Sequence, residues 1–273
     1  GPLAGAGAAA HHAPLRAQAL PVAAGGAAAR ATDTAPRRAG AAGVAASAGP
    51  PDCKYGGKPW GGVTPEVYTS HFHGQQEGIF VDVGAGDGIF ESRTRFFEHH
   101  LCWRGVVVEP TPNEFAKLER QRPGSAAVYG AVCNTDGRRS GFQEVTLNGL
   151  WTGWSGLKET FNEDHVKEIE SHVATQGYEA RDREVECVRL ATLLGEVGIG
   201  HVDYLAVSVE GHEAEVIRSI DFSKVTIGVI QVETNGMRMA DRAAVHEMLT
   251  GHGYVRDPRT EANHDPVYVR PAR

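Results

Sequence analysis

The sequence predicts an α/β protein with a doubly wound, mostly parallel sheet. Three observations lead to this prediction. Short apolar runs rich in β-branched residues alternate with helical stretches along the chain, as in βαβ units. The runs are apolar almost throughout, as expected for parallel strands that are buried on both faces. Each run closes on glycine or polar residues, and open α/β sheets bind their ligands at that end of the strands.

The first predicted strand, 79–83, runs directly into a glycine-rich turn. The strand reads Ile-Phe-Val-Asp-Val and carries one acid, Asp82. Three glycines follow at alternate positions from 84 to 88, and glycine lets a backbone turn tightly and approach a ligand closely. We predict a helix over 90–101 after this turn, with its N-terminus facing the ligand.

The spacing of these glycines separates the nucleotide cofactors. A dinucleotide fingerprint reads G-x-G-x-x-G, whereas the third glycine here comes one residue early, which disfavours a dehydrogenase. A P-loop requires Gly-Lys-Ser/Thr, which does not follow. S-adenosylmethionine (SAM) has no phosphate, and its amino-acid head carries an ammonium group that suits Asp82. The alternative interpretation is a purely structural glycine turn.

The second predicted strand, 105–108, ends in an acid. Glu109 stands at the carboxyl end of the second strand, where an acid can accept both ribose hydroxyls of a nucleoside. Pro110 stops the strand because it lacks a ladder donor. Pro112 suits the first turn of a helix that continues through Leu118.

The remaining elements follow in the same alternation. Further strands are predicted over 126–132, closing on Cys133-Asn134, over 202–207, closing on 208–211, and over 225–230, closing on 231–233. Between the third and fourth strands, we predict strands at 141–146 and 184–190 and an acidic helix at 161–175. Two tryptophans, Trp151 and Trp154, lie among glycines in this region. They indicate either a lid that excludes water or simple packing, and we expect one of them to contact the site.

Four segments together resemble the FkbM-like SAM-dependent methyltransferases. They read Val-Asp-Val-Gly-Ala-Gly-Asp-Gly, Val-Val-Val-Glu-Pro-Thr-Pro-Asn-Glu-Phe, Tyr-Gly-Ala-Val-Cys-Asn and Val-Asp-Tyr-Leu-Ala-Val-Ser-Val-Glu-Gly-His-Glu. The resemblance covers residues 75–270 and keeps the motif order. It implies a Rossmann-like class I methyltransferase fold, SAM as cofactor, and mostly O-methylation of hydroxyl or carboxyl groups.

The resemblance also implies the site residues by position. Glu210 and Glu213 are the catalytic candidates. Residues three apart share a helix face, so we expect these two acids to converge and His212 to lie on the surface. The cofactor-binding candidates are Asp82, Gly84, Gly86, Asp87, Glu109, Pro110, Asn134 and Ser208.

Ser208 departs from the family pattern, which usually has Asp at this position. Serine keeps a hydrogen-bonding group but loses the charge. We expect Glu210 to cover that charge, because alternation along a strand puts the two positions on one side. We therefore predict a methyltransferase that acts on a hydroxyl of a small molecule or glycan. The alternative is a catalytically weakened subunit with a structural role and a protein partner in a larger, organellar assembly.

Composition divides the chain into two regions. Residues 1–51 are dominated by Ala, Gly and Pro, carry four Arg against one Asp, and show no sustained apolar period. We predict a disordered tail, which is either an organelle transit segment or a tail without a targeting signal. Residues 52–273 form the predicted methyltransferase-like domain. The expected location is intracellular. It is a plastid or mitochondrion if the tail is a transit segment, and the cytoplasm otherwise.

Charge, hydropathy and cysteine spacing exclude several classes. The net charge is −7, and the first 51 residues contribute +3 (four Arg less one Asp), which leaves −10 for the rest and disfavours a nucleic-acid partner. No apolar run approaches the roughly 20 residues of a membrane span. The four cysteines are scattered without Cys-x-x-Cys spacing, so we predict no metal site and a reduced intracellular setting.

Overall fold

The computed structural model describes residue 53 and residues 65–259 and 265–271. The strands within these ranges are β1 (Ile79–Val83), β2 (Arg104–Glu109), β3 (Ser125–Tyr129), β4 (Ala131–Val132), β5 (Arg139–Leu147), β6 (Leu150–Trp151), β7 (Gly156–Leu157), β8 (Tyr178–Val188), β9 (His201–Val207), β10 (Thr226–Val232), β11 (Val255–Arg256) and β12 (Val267–Val269). The helices are α1 (Pro65–His71), α2 (Arg95–Leu101), α3 (Pro112–Gln121), α4 (Glu163–Gln176), α5 (Leu190–Glu196), α6 (Glu213–Arg218) and α7 (Met239–Gly251), with a 3₁₀ turn at Lys158–Thr160.

The main sheet has seven strands in the order β11-β12-β10-β9-β1-β2-β3. The five strands from β10 to β3 pair in parallel, and β12 joins the β10 edge antiparallel, as does β11 on β12. The chain starts at the centre with β1, moves outward to β3, and returns to β9 on the other side of β1. This reversal defines a doubly wound sheet and confirms the predicted fold class.

Helices cover both faces of the main sheet. Alternate side chains of β1 enter different cores: Val81 and Val83 pack with α5, α6 and α7, whereas Phe80 packs with α1, α2 and α3. Because both faces are buried, the strands can be apolar at successive positions, and this is the pattern that the sequence displays. Fully buried aromatic side chains such as Trp103 and Tyr204 fill the core on the α2 side of the main sheet.

A second sheet forms between β3 and α5. It has five strands, with β8 between β4 and β5, and with β6 and β7 both paired to β5. The predicted third strand over 126–132 is therefore wrong as a single strand. It divides at Gly130, whose φ of 149° and close approach to the Glu186 carbonyl let the chain leave the main sheet for the second one.

The helix predicted over 90–101 begins only at Arg95. The Asp87 side chain accepts hydrogen bonds from the backbone N–H groups of Ile89 and Phe90, at 2.8 Å each. Glu91 has a positive φ of 50°, which is incompatible with a helix. Short polar side chains thus take the backbone donors that a helix would need, and the loop after β1 becomes longer than predicted.

All four cysteines are paired, which contradicts the expectation that they stay reduced. Cys53 pairs with Cys102, and Cys133 pairs with Cys187. The partners are 49 and 54 residues apart in the chain, so neither bond could be predicted from a short spacing motif. Cys133 follows β4 and Cys187 lies in β8, so the second bond fastens the base of the second sheet.

Two further findings concern the described ranges alone. None of their helices has the length and apolar character needed to cross a membrane. None of their groups of His, Cys, Asp and Glu has the arrangement to hold a metal ion. The predicted tail, 1–51, lies outside the described residues.

Candidate functional site

The register of the main sheet brings four strand ends to one edge. Val83 at the end of β1 pairs with Val108 of β2 and with Val207 of β9, and Val207 pairs in turn with Val232 of β10. The residues that follow these pairs are therefore neighbours in space. They are Gly84, Glu109, Ser208 and Glu233.

Gly84 lets two of these strand ends touch. Its φ is 86°, and a Cβ on Gly84 would lie 1.9 Å from the backbone oxygen of Ser208. Only glycine permits this approach of the loops after β1 and β9. Gly86 also has a positive φ, of 55°, but a Cβ there would meet only Trp151, at 4.0 Å. The space in front of Gly86 is thus open.

Glu109 is buried at the end of β2, and both carboxylate oxygens accept backbone hydrogen bonds. Oε2 accepts from Gly86 N at 2.9 Å, and Oε1 accepts from Thr111 N at 2.7 Å. The acid therefore holds the glycine loop as well as facing the edge of the sheet. Burial raises the pKa of Glu109 to about 7, against the opposing effect of these hydrogen bonds.

Two cavities meet at this edge. We call them the nucleoside cavity and the acidic cavity, and they share walls made by Gly84, Trp151, Ser208 and Glu210. The nucleoside cavity is further lined by Val83, Val108, Glu109, Pro110, Thr111, Gly130, Ala131, Val132, Phe142, Ser155, Gly156, Leu157, Val209 and His212. The acidic cavity is further lined by Asp82, Ala85, Gly86, Phe90, Glu91, Ser92, Arg93, Gly153, Glu233 and Asp265.

The acidic cavity holds one guanidinium among several carboxylates. Arg93 Nη2 lies 2.8 Å from Asp265 Oδ2 and 3.7 Å from Glu233 Oε2. The Arg93 Nε is buried, and no hydrogen-bond acceptor among the described residues reaches it. Asp82 accepts a hydrogen bond from the Thr94 hydroxyl at 2.7 Å, and burial raises its pKa.

Glu210 lies in the wall that the two cavities share. Its φ is 53°, so it has left the strand direction, and β9 has already ended at Val207. Alternation along a strand therefore does not apply at 208 and 210, and that part of the prediction is wrong. Burial raises the pKa of Glu210 well above its usual value, and the nearby carboxylates of Glu233 and Glu213 raise it further.

Ser208 instead meets an acid from another strand. Its hydroxyl donates a hydrogen bond to Glu233 Oε2 at the end of β10. A carboxylate thus stands beside the position where the resemblance implies Asp. We expected Glu210 to supply the charge that Ser208 lacks, because Glu210 is the nearest acid along the chain. The sheet instead brings β10 alongside β9, so the nearby carboxylate is that of Glu233.

Three predicted site residues lie outside the lining of both cavities. Asp87 caps the turn after β1, as described above. Asn134 is exposed in the turn after β4. Glu213 is fully buried, and its Oε1 accepts from the backbone N–H groups of Val209 and Gly211, at 2.9 and 3.3 Å. Glu213 thus fixes the backbone on which Glu210 stands.

The expected convergence of Glu210 and Glu213 on one helix face is wrong, because α6 begins only at Glu213. His212, expected on the surface, is 1% exposed and lines the nucleoside cavity. Of the two tryptophans, Trp151 lines both cavities, while Trp154 packs against the rings of His165 and His172.

Sequence reasoning missed His212, Glu233, Arg93 and Asp265. Glu233 was detectable, since it follows a predicted strand in the same way as Glu109. Arg93 was assigned to a helix, and Asp265 lies 172 residues from it in the chain. Only the folded chain brings these two together.

Comparisons with known proteins bear on the family of the chain. A family model described as a methyltransferase FkbM domain matches residues 82–256. No curated protein sequence matches the chain at a significant level.

Three solved structures are similar to the chain over much of its length. A precorrin-6y C5,15-methyltransferase from Geobacter metallireducens has 14% identity, a TM-score of 0.37, and coverage of 80% of this chain and 92% of its own. A methyltransferase FkbM from Methylobacillus flagellatus has 11% identity, a TM-score of 0.41, and coverage of 71% and 43%. A fibrillarin from Aeropyrum pernix with natively bound SAM has 10% identity, a TM-score of 0.36, and coverage of 72% and 66%.

Proposed function

Since the chain belongs to the FkbM methyltransferase domain family, we propose that it transfers a methyl group from SAM to a hydroxyl group of a small molecule or glycan. The observation that carries this proposal is the position of Glu210. Its carboxyl group stands in the common wall of a largely apolar cavity and an acidic cavity, at the carboxyl edge of the sheet. A SAM molecule that spans both cavities would have its sulfonium, which carries the methyl group, near this junction.

The residues of the two cavities fit SAM. The unpartnered Arg93 Nε is a donor suited to the carboxylate of an amino-acid head, and Asp82 and Glu233 suit its ammonium group. The open space in front of Gly86 admits the ligand to the loop. Glu109 lies in the adjoining cavity, where it is placed to accept ribose hydroxyls. Bound SAM would supply an activated methyl group, so catalysis consists mostly of placement.

The hydroxyl acceptor must lose a proton, and Glu210 is the group placed to take it. Its raised pKa makes its carboxylate a stronger base than that of an ordinary glutamate. Such a base contributes roughly 10²–10⁴-fold to the rate.

Glu210→Gln tests this role because it keeps the shape of the side chain and removes the base. We expect methyl transfer to fall by about 10²-fold or more, while the dissociation constant for SAM changes less than about threefold. Methyl transfer is measured with a panel of hydroxyl acceptors, and binding is measured by calorimetry. In the wild type, the rate should rise with pH through the raised pKa, because only the ionised carboxylate accepts a proton.

Glu119→Gln is the matched control. Glu119 is exposed on α3 and lines neither cavity, so its loss should leave turnover unchanged. If Glu210→Gln turns over at the wild-type rate, Glu210 is not the base. If the wild type shows no SAM binding up to millimolar concentration, the enzymatic proposal itself fails.

Ser208 favours a second candidate function, a weakened methyltransferase that serves as a subunit of a larger assembly with a protein partner. Glu233 argues against lost catalysis, because it holds a carboxylate beside the Ser208 hydroxyl. Comparison of the wild type with Ser208→Asp separates the two candidates. Transfer in both proteins supports the enzyme, and transfer in the variant alone supports the subunit.

The location of the protein is part of the same proposal. Two disulfides favour an oxidising compartment over the cytoplasm. The expectation of a plastid or mitochondrion rests on residues 1–51, which lie outside the described residues.

A further inference from the structure

His212 is a buried polar side chain to which the proposed mechanism gives no task. It stands immediately before α6, is 1% exposed, and lines the nucleoside cavity. Its Nε2 is buried and has no hydrogen-bond partner among the described residues. An unsatisfied buried polar atom is destabilising, so a ligand that supplies the missing partner recovers that energy.

The neighbours of His212 fix which ring nitrogen carries the proton. Nδ1 lies 3.3 Å from Thr160 Oγ1, and the Thr160 hydroxyl donates to the Leu157 carbonyl oxygen at 3.1 Å. Because a hydroxyl has a single proton, Oγ1 accepts from the ring, and Nδ1 is the donor. A neutral imidazole has one donor and one acceptor. Nε2 is therefore a bare acceptor that requires a donor from the cavity.

The charge state of His212 favours hydrogen bonding over proton transfer. Burial lowers the pKa of His212 to about 4, so the ring is neutral at pH 7. A base with such a low pKa removes a hydroxyl proton poorly. The ring is thus a fixed acceptor at neutral pH.

The walls of the cavity indicate which donor it meets. Apolar side chains supply much of the lining, which suits a flat, largely apolar ring; among them are Val83, Val108, Pro110, Val132, Phe142 and Leu157. Glu109 lies in the same lining, so a ribose held there would direct its base into this apolar space. Asn134, the polar residue that the sequence offered after the third strand, is exposed and outside the lining.

We infer that His212 Nε2 accepts a hydrogen bond from the exocyclic amino group of the donor's adenine, and so selects adenine over a purine that carries a carbonyl oxygen there. This inference rests on the proposed function, since it takes SAM as the ligand. It makes His212 a specificity-determining residue for the cofactor. A carbonyl oxygen at the same place would face a lone pair and leave Nε2 unsatisfied.

Calorimetry with two ligands tests the inference without any turnover. S-adenosylhomocysteine carries the amino group, and S-inosylhomocysteine replaces it with a carbonyl oxygen. We expect the wild type to bind the adenosyl compound at least about tenfold more tightly, which corresponds to about 1.4 kcal/mol. The measurement uses the full chain at pH 7.5.

Two substitutions locate the preference in Nε2. His212→Asn keeps an N–H that can donate to Thr160 and removes the acceptor, so the preference should fall below about threefold. His212→Gln can present an amide oxygen near the position of Nε2, so it should retain most of the preference. Thermal melting checks that both variants are folded.

The outcomes are distinct. A wild type that binds both compounds equally overturns the inference, whatever the variants do. A preference that survives in His212→Asn also overturns it, because another group must then read the base. A wild type that binds neither compound refutes the proposed function first, and the inference falls with it.

Discussion

Glu109 joins two tasks in one side chain. Its carboxylate accepts hydrogen bonds from the backbone N–H groups of Gly86 and Thr111, and it also lines the nucleoside cavity. Its pKa of about 7 means that the group changes charge in the neutral range. Ligand affinity should therefore depend on pH in a range where an ordinary carboxylic acid would give no effect.

We expect SAM to bind about tenfold more weakly at pH 6 than at pH 8. The sign follows from the raised pKa: below pH 7 a proton occupies the carboxylate, which then accepts ribose hydroxyls poorly. Glu109→Gln should flatten this dependence, and Glu109→Ala should weaken binding at least about tenfold at pH 8. Calorimetry at the two pH values measures it. A wild-type dissociation constant that is the same at both would remove Glu109 from the site.

Single residues also show the limit of sequence reasoning. The acids that directly follow strands, such as Glu109, were predictable because strand ends meet at one edge of a parallel sheet. His212 was not, because it shares the cavity with Leu157 of β7 and contacts Thr160 of the following 3₁₀ turn, which lies 52 residues earlier in the chain. The charge and local spacing of residues in the sequence carry no information about a contact between residues so far apart in the chain.

The glycine loop is the element on which the donor site depends most. Gly84 and Gly86 look equivalent in the sequence, yet their surroundings differ. A side chain at Gly84 would collide with the Ser208 backbone oxygen, and a side chain at Gly86 would project into open cavity space. The first glycine serves the fold, and we propose that the second serves the ligand.

Gly84→Ala should lower the melting temperature markedly, because two loops must separate. Gly86→Val should abolish SAM binding while the fold persists, since the branched side chain fills the acidic cavity. Gly137→Val is the control for backbone strain: its φ of 69° is also positive, no atom lies within 4 Å, and it lines neither cavity. Thermal melting and calorimetry report the two effects. Normal SAM binding by Gly86→Val would make the loop purely structural.

Strands were easier to predict than the elements between them. β1, β2, β9 and β10 match their predicted runs closely, because burial on both faces makes them continuously apolar. α2 starts late and the third strand divides, because these events depend on side-chain capping by Asp87 and on one glycine at 130. Hydrophobic pattern fixes where a strand lies, and local hydrogen bonds decide where it stops.

Across the whole molecule, the nucleoside cavity has walls from both sheets. Val83 and Val108 come from the main sheet, whereas Phe142 and Leu157 come from the second sheet. The disulfide of Cys133 with Cys187 lies where the two sheets connect, and both cysteines are fully buried. The integrity of the cavity therefore depends on this junction.

The double substitution Cys133→Ala with Cys187→Ala should lower the melting temperature by roughly 4–16 °C. A disulfide that closes a loop of this length contributes about 2–4 kcal/mol, and each kcal/mol shifts the melting temperature of such a domain by about 2–4 °C. SAM binding should weaken in parallel. Cys53→Ala with Cys102→Ala is the comparison, since it removes a bond whose cysteines line neither cavity. An unchanged melting temperature in the first variant would show that the junction holds without its bond.

The Cys133–Cys187 disulfide also joins the two ends of the segment that builds most of the second sheet. Residues 134–186 contain β5, β6, β7, α4 and most of β8, and they enter and leave the main fold at the two paired cysteines. Asp82 and Glu109, the acids assigned to the donor, lie outside this segment. The two ends of the segment are thus held together at one place by the disulfide. Exchanging the segment between relatives should transplant the side chains that it contributes to the nucleoside cavity, such as Phe142 and Leu157, and leave the recipient's own donor-binding acids in place.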